Sequence, residues 1–400
     1  MLEPTPLLTL AEAGGDMKYV AYGLFLLLVV VFLILDLGVF HRKAHEVHMK
    51  EAVTWSVVWL TIGVAFSGFV YFAYEHHWLG LGLNTRIFNP AAALDSGQPL
   101  IAYGEVRGST AAVQYLTGYV VEKSLAMDNI FVIAILFGFF AIPNKYQHRV
   151  LFWGIIGALI TRGAMIGLGG ELIMAYQWVL ILFGVFLLLT ALKMALIRSE
   201  SDPSRNPIVR LVTKLYPVTA FFDGQRFFTR RTLPPTYSPD PRTGTPVQDP
   251  PPPGTLSKRL FVTPLLLALV MVEITDLVFA VDSIPAIFAI TPDTFIVFTS
   301  NIFAILGLRA LYFCLAAMIA RFRFLKPALI LILAFVGVKL LLLSLPPYLD
   351  VAGLAKRQSV KIAPLVSLAV VVALLVLATV ASILWPRRDE AAHGPRSTPS

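Results

Sequence analysis

Nine runs of about twenty predominantly apolar residues limit what this 400-residue chain can become. They fall near 19–40, 52–74, 113–140, 150–169, 178–197, 260–290, 295–320, 327–345 and 364–385. A helix of that length crosses the hydrocarbon of a bilayer and satisfies its own backbone hydrogen bonds, which lipid does not do for it. The inventory agrees, with 57% hydrophobic and 14% charged residues, far from the averages of soluble domains. The expected fold class is an all-α polytopic membrane protein. The first eighteen residues set Glu3, Glu12 and Asp16 against Lys18, which does not read as a cleavable signal, so the run at 19–40 reads as the first span.

The net charge of +8 does not point to nucleic acid. Its basic residues sit at the ends of apolar runs, where headgroups and membrane orientation account for them. A single cysteine, Cys314, leaves no intramolecular disulfide and no thiolate cluster for a soft metal. No nucleophile–base pair, phosphate-binding loop or HExxH helix is present, so an enzyme is not expected and no cofactor is implied.

Loop charge orients the spans. Segments 41–50, 141–149, 198–259, 321–326 and the C-terminal tail hold 21 Lys and Arg; the alternate set, 1–18, 75–112, 170–177, 291–294 and 346–363, holds 6. Positive loops stay inside, which puts the N-terminus outside and the C-terminus in the cytoplasm of a bacterial inner (cytoplasmic) membrane. Without the long 198–259 loop the balance is still 11 to 6.

Two of the runs carry the same acidic pattern at apolar depth. EKSLAMDN, Glu122 to Asn129, and ITDLVFAVDS, Ile274 to Ser283, align so that Asp128 faces Asp282 and Glu122 faces Asp276, with Glu273 added in the second. About thirty residues on, Arg162 corresponds to Arg309, and a similar step further Lys193 corresponds to Lys339. An acid pair, an arginine and a lysine thus recur in one order on three successive spans. Three is odd, so the copies at 113–197 and 260–345 run in opposite directions through the membrane, as inverted repeats around a midplane site do. The chain then divides into two N-terminal spans with an external loop (1–112), the first repeat (113–197), a cytoplasmic Pro-rich loop (198–259), the inverted second repeat (260–345), and a last span with its tail (346–400).

A charge at the bilayer centre costs at least about 2.5–3.5 kcal/mol, so Glu122, Asp128, Glu273, Asp276 and Asp282 need partners. Arg162, Lys193, Arg309 and Lys339, with Lys123 beside them, supply charge balance, and helix packing by such pairs is one reading. The other is a cation pathway. On a regular helix Glu122 and Asp128 lie about 120° and about 9 Å apart, so one helix does not aim both at one ion. Either the acids serve successive sites, or the helix opens near the second acid, with Asn129 and Ser283 as further oxygen ligands; Pro285, which removes the bond to the Val281 carbonyl, favours opening in the second copy. An all-oxygen set suits Mg, Ca or Mn. No histidine falls in a span; His41, His45 and His48, near Glu46, share a helix face and read as a solvated juxtamembrane turn rather than a metal sensor. Asp36, near the end of the first span, is a candidate for the route into the site or simply a hydrated interfacial acid. Gly163 and Gly167 form a GxxxG that favours close helix packing.

Within 198–259, the segment Thr232 to Thr255 is rich in proline and is expected to be extended or disordered. TAFFDGQRFFTRR, residues 219–231, mixes aromatic pairs with basic residues and reads as an anchor at the cytoplasmic face, with a substrate gate as the alternative.

The stretches FLILDLGVFHRKAHEV, VEKSLAMDNIFVIAILFGFFAIP, YQHRVLFWGIIGALITRG, FFDGQRFFTRR, TPLLLALVMVEITDLVFAVDSIPAIFAIT and SNIFAILGLRALYF together resemble the TerC family of integral membrane proteins, historically named for tellurium resistance. The resemblance covers about 19–345. It implies a fold similar to the LysE superfamily and export of Mn(II) as transported ion, with the acids matching Glu122, Asp128, Glu273, Asp276 and Asp282 implicated. It also brings a second reading, a membrane assembly factor whose partners are secreted or membrane proteins. The partners expected of the first reading are a divalent metal cation and the lipid bilayer.

Overall fold

The structure is a computed structural model that describes residues 6–38, 49–89, 99–176, 178–196, 217–233, 237–239, 246–248, 256–316, 324–345 and 362–384. Helices dominate it. In chain order they are α1 (Pro6–Gly38), α2 (Met49–Glu75), α3 (Gly108–Phe139), α4 (Asn144–Ala175), α5 (Val179–Leu196), α6 (Pro264–Phe288), α7 (Thr294–Leu306), α8 (Leu308–Ala316), α9 (Leu325–Ser344) and α10 (Pro364–Leu384). Among the described residues seven helices are separately long and apolar enough to cross a membrane, and eight crossings result if the bent pair α7–α8 is one span. The helix α3 is 32 residues long but carries Glu122, Lys123 and Asp128, and is not among them.

The helices of the two expected repeats pack reciprocally. Helix α3 lies against α7 and α6, α4 against α6 and α7, and α5 against α9. Two copies related by a two-fold axis in the membrane would give this pattern, so the arrangement is compatible with inverted repeats. At the α5–α9 crossing the backbones approach closely: a methyl on Gly184 would meet the Gly337 carbonyl at 3.3 Å, and one on Gly337 would meet the Gly184 carbonyl at 3.2 Å. Small residues at a crossing let helices approach where no hydrophobic force drives them together. The GxxxG of α4 does not work this way, since nothing lies within 4 Å of a methyl on Gly167.

Helix breakage also differs from expectation. The helix α6 runs unbroken through Pro285 to Phe288. Pro285 stands in the last turn, where the one lost N–H bond is next to carbonyls that end the helix anyway. The break falls instead at Gly307, between α7 and α8, with a bend of 42°. Lys123 reaches across from α3 and donates to the Ala304 carbonyl at 3.0 Å, supplying a cation to the C-terminal turn of α7. Among the described residues it serves that helix end and forms no ion pair with an acid.

Short strands decorate both ends of the bundle. On one face, β1 (Thr85–Phe88) pairs antiparallel with β2 (Ile101–Gly104), Thr85 opposite Gly104. On the opposite face, β3 (Phe228–Arg231) pairs with β6 (Leu256–Val262). Within the proline-rich segment, β4 (Tyr237–Pro239) pairs with β5 (Pro246–Gln248), so part of it is an ordered hairpin. The β1–β2 hairpin is fastened to the bundle by Asp293, which caps α7 through the Phe295 N–H at 2.9 Å and accepts from the hydroxyls of Tyr74 (2.7 Å) and Thr85 (2.8 Å).

Candidate functional site

At the crossing of α3, α4, α6 and α7, Arg162 is 1% exposed and surrounded by oxygen. Its Nε and Nη2 donate to the two carboxylate oxygens of Asp276, at 3.2 and 2.9 Å. Its Nη1 donates to the Glu122 carboxylate, to Asn301 Oδ1 at 3.0 Å and to Ser283 Oγ at 3.4 Å. Two amides complete the cluster: Asn301 Nδ2 donates to Glu122 Oε2 at 3.3 Å, and Asn129 Nδ2 to Asp276 Oδ1 at 2.9 Å. Glu122 and Asp276 are 0% and 4% exposed, so water does little to screen the charges.

Each helix brings its residue here for a local reason. Glu122 and Asn129 are seven positions apart on α3, two turns, so they share one face. On α6, Asp276 and Ser283 hold the same spacing. Asn301 closes the run Thr299–Ser300–Asn301, all buried on α7. Glu122 and Asp128, six apart, fall on different faces of a regular helix; the seven-residue relation of acid to amide or hydroxyl is what meets at the arginine.

The expected residues are thus only partly gathered. Glu122, Asn129, Arg162, Asp276 and Ser283 form one network. Glu273 is one turn from Asp276, half-buried, with its carboxylate seated in the notch left by Gly157 of α4. Arg309 is buried and lines a small cavity together with Asn129 and Asp276. Lys193 does not join: it is exposed in the last turn of α5, a favourable place for a cation at a helix C-terminus. Lys339 is buried but faces α10, donating to Ser367 Oγ at 2.9 Å. Both lysines ride on the third helix of their repeats, and those helices pack on each other beside the acids. The side chains of Asp36, Asp128 and Asp282, and His41, His45 and His48 entirely, lie outside the described residues. Asn301 joins the network as well, and its one signal in the sequence is that of a lone amide in the apolar run of α7. Among the described residues no three of His, Cys, Asp and Glu gather. The oxygens at the cluster come from two carboxylates, two amides and a hydroxyl, and a guanidinium stands at their centre.

Space around the cluster is unequal. Beyond Arg162 toward the β1–β2 hairpin, a cavity of about 540 Å³ is lined by Gly163, Ile166 and Gly167 of α4 and by Tyr22, Arg86 and Asp293. On the other side, the cavity lined by Asn129, Leu151, Ile155, Asp276, Arg309 and Tyr312 holds about 30 Å³. Arg86 and Glu171 both line the larger cavity and form an ion pair at 2.6 Å, with Glu171 exposed.

These features define a multi-pass helical membrane protein with a buried charged cluster between two packed halves. Residues 107–390 match the Integral membrane protein TerC family, and the chain belongs to that family. It is 38% identical to an uncharacterized membrane protein of Myxococcus xanthus over 93% of both chains. Relatives named as a proposed membrane-bound redox modulator, Alx, in Photorhabdus laumondii and Shigella flexneri are 38% and 39% identical over 81% of this chain and 86% of theirs. No solved structure matches the chain.

Proposed function

We propose that the chain exports a divalent metal cation, Mn(II), from the bacterial cytoplasm by alternating access of its two halves around the Arg162 cluster. The carrying observation is that one buried guanidinium is shared by a carboxylate from the first helix of each repeat, Glu122 and Asp276. A fully desolvated cluster of this kind is a weak way to stabilise a bundle, because desolvation cancels most of the attraction. It is a suitable way to hold a cation site ready. Arg162 acts as the resident cation, the carboxylates and amides of both halves are the ligands it holds in place, and the cargo must displace it. Asp128, Glu273 and Asp282 belong to the same two helices and are assigned to the same cation path by their place in the sequence. Mn(II) accepts oxygen ligands of this type. Protons compete for the same carboxylates, which offers inward proton flow as the driving force.

The face bearing β3 and β6 is read as cytoplasmic and the β1–β2 face as external, from loop charge. The relatives' name is compatible with cargo of this kind, since manganese is redox-active. A thiol-exchange role would rest on Cys314 alone. Tellurium tolerance is read as indirect, because an oxyanion is repelled by this set of acids. In a deletion strain, the wild-type gene is expected to restore manganese tolerance and lower cellular manganese, while Asp276→Asn restores neither despite equal membrane abundance. Equal rescue by Asp276→Asn would remove the reading.

A further inference from the structure

The segment Thr219–Arg231 is not a loose anchor. Its turn is built around Asp223, 0% exposed, which accepts from Thr229 Oγ1 at 2.7 Å and pairs with Arg231 at 3.5 Å and Arg226 at 3.6 Å. Gly224 takes φ +58°, the left-handed conformation the tight turn needs. From this turn Phe222 and Phe227 project into the apolar cluster formed by Tyr146, Val150, Leu151 and Ile155 of α4 with Leu265, Ala268 and Val272 of α6. Phe222 stands 6.0 Å from the Tyr146 ring, and the Arg149 guanidinium lies 5.2 Å from the Phe227 ring centre while donating to Gln225 Oε1 at 3.4 Å. The same turn is tied to the start of α6: Thr263 Oγ1 donates to the Arg226 carbonyl at 2.7 Å and the Thr263 N–H to the Phe227 carbonyl at 3.0 Å. One folded turn therefore fastens the end of α4 to the end of α6, the two helices that carry Arg162 and Asp276.

The cavity lined by Leu151, Ile155, Asn129 and Asp276 holds about 30 Å³, whereas the cavity on the hairpin side, lined by Gly163 next to Arg162 in the chain, holds about 540 Å³. We propose that residues 219–231 are the gate on this face, a latch that clamps α4 to α6, and that the structure is the state closed at the latch and open toward the hairpin. For the cluster to be reached from the latch face, the ends of α4 and α6 must part, and Phe222, Phe227 and Arg149 must lose their contacts first. The proposal rests on the transport reading for its purpose but is tested without any metal.

In a Cys314→Ser background, Ile155→Cys reports the closed side and Gly167→Cys the open side, where a methyl meets nothing within 4 Å. Labelling by an impermeant maleimide in vesicles of each orientation is expected to be slow at 155 and fast at 167. With Phe222→Ala and Phe227→Ala together, labelling at 155 should rise about tenfold and labelling at 167 should fall, as a two-state shift requires. Arg149→Gln, which leaves both rings in place, should give a smaller change in the same directions. Unchanged labelling at 155 overturns the latch. So does a rise at both positions, since the turn would then only hold the bundle together. Vesicles that show the exchange of accessibility but move no manganese would leave the latch standing and remove the transport reading.

Discussion

Arg162 shows at the scale of one residue why polar groups survive at apolar depth. Its guanidinium makes charge-assisted bonds with both oxygens of Asp276 and with Glu122, a geometry that lysine does not reproduce because its ammonium lacks the planar fork. Replacing Arg162 by Leu leaves two uncompensated carboxylates and is expected to cost about 3–5 kcal/mol of stability, read by thermal unfolding in detergent. Adding Glu122→Gln and Asp276→Asn to Arg162→Leu should recover a large part of that loss. No loss in the single variant would mean that the three groups do not act as a unit. The sequence made the acids and the arginine legible because charge in an apolar run is conspicuous. It did not separate Arg162 from Lys193 and Lys339, since all of them recur in the repeat and recurrence does not say which way a side chain faces.

At the scale of the element, glycine position decides how helices meet. Gly184 and Gly337 hold α5 and α9 at carbonyl contact, so Gly337→Ala is expected to destabilise by about 1–3 kcal/mol through overpacking. Gly167→Ala fills open space in the interior of α4 and should be neutral or stabilising by up to about 1 kcal/mol, from helix propensity. The reverse order in unfolding measurements would contradict the packing described. Apolar run length located the helices well: the run at 364–385 became α10, and that at 178–197 became α5. Breakage was less legible. A proline signals a missing bond wherever it stands, but in the last turn of α6 that bond matters little, while the span bends at Gly307, where Trp59 and the Lys123 ammonium come within 2.8 and 3.0 Å of where a side chain would begin and leave room only for glycine. Those neighbours come from other helices and have no local signature.

Across the whole molecule, the two faces differ in chemistry and in access. One carries the β1–β2 hairpin, fastened by Asp293 and by the Arg86–Glu171 pair; the other carries the Asp223 turn. If the loop charges orient the chain, Tyr103→Cys, exposed on β2, should react with an impermeant thiol reagent in intact cells, and Arg230→Cys only in inside-out vesicles. Reaction of both from one side would break the inverted-repeat topology, because an odd number of spans must separate each copy's ends. The reciprocal packing of α3 with α7 and α4 with α6 was foreshadowed by the order of charges along the chain. The unequal cavities were not, since they depend on how a surface turn seats under the bundle.

The central claim is that Glu122 and Asp276, held by Arg162, bind and move a divalent cation. Its most direct test is radioactive Mn(II) flux into proteoliposomes containing the purified protein, with wild type, Glu122→Gln and Asp276→Asn reconstituted at equal density. Wild type is expected to carry a saturable flux, inhibited by excess non-radioactive Mn(II), and both variants to fall to the level of empty liposomes. Equal flux in wild type and both variants, or none in wild type above empty liposomes, would contradict it.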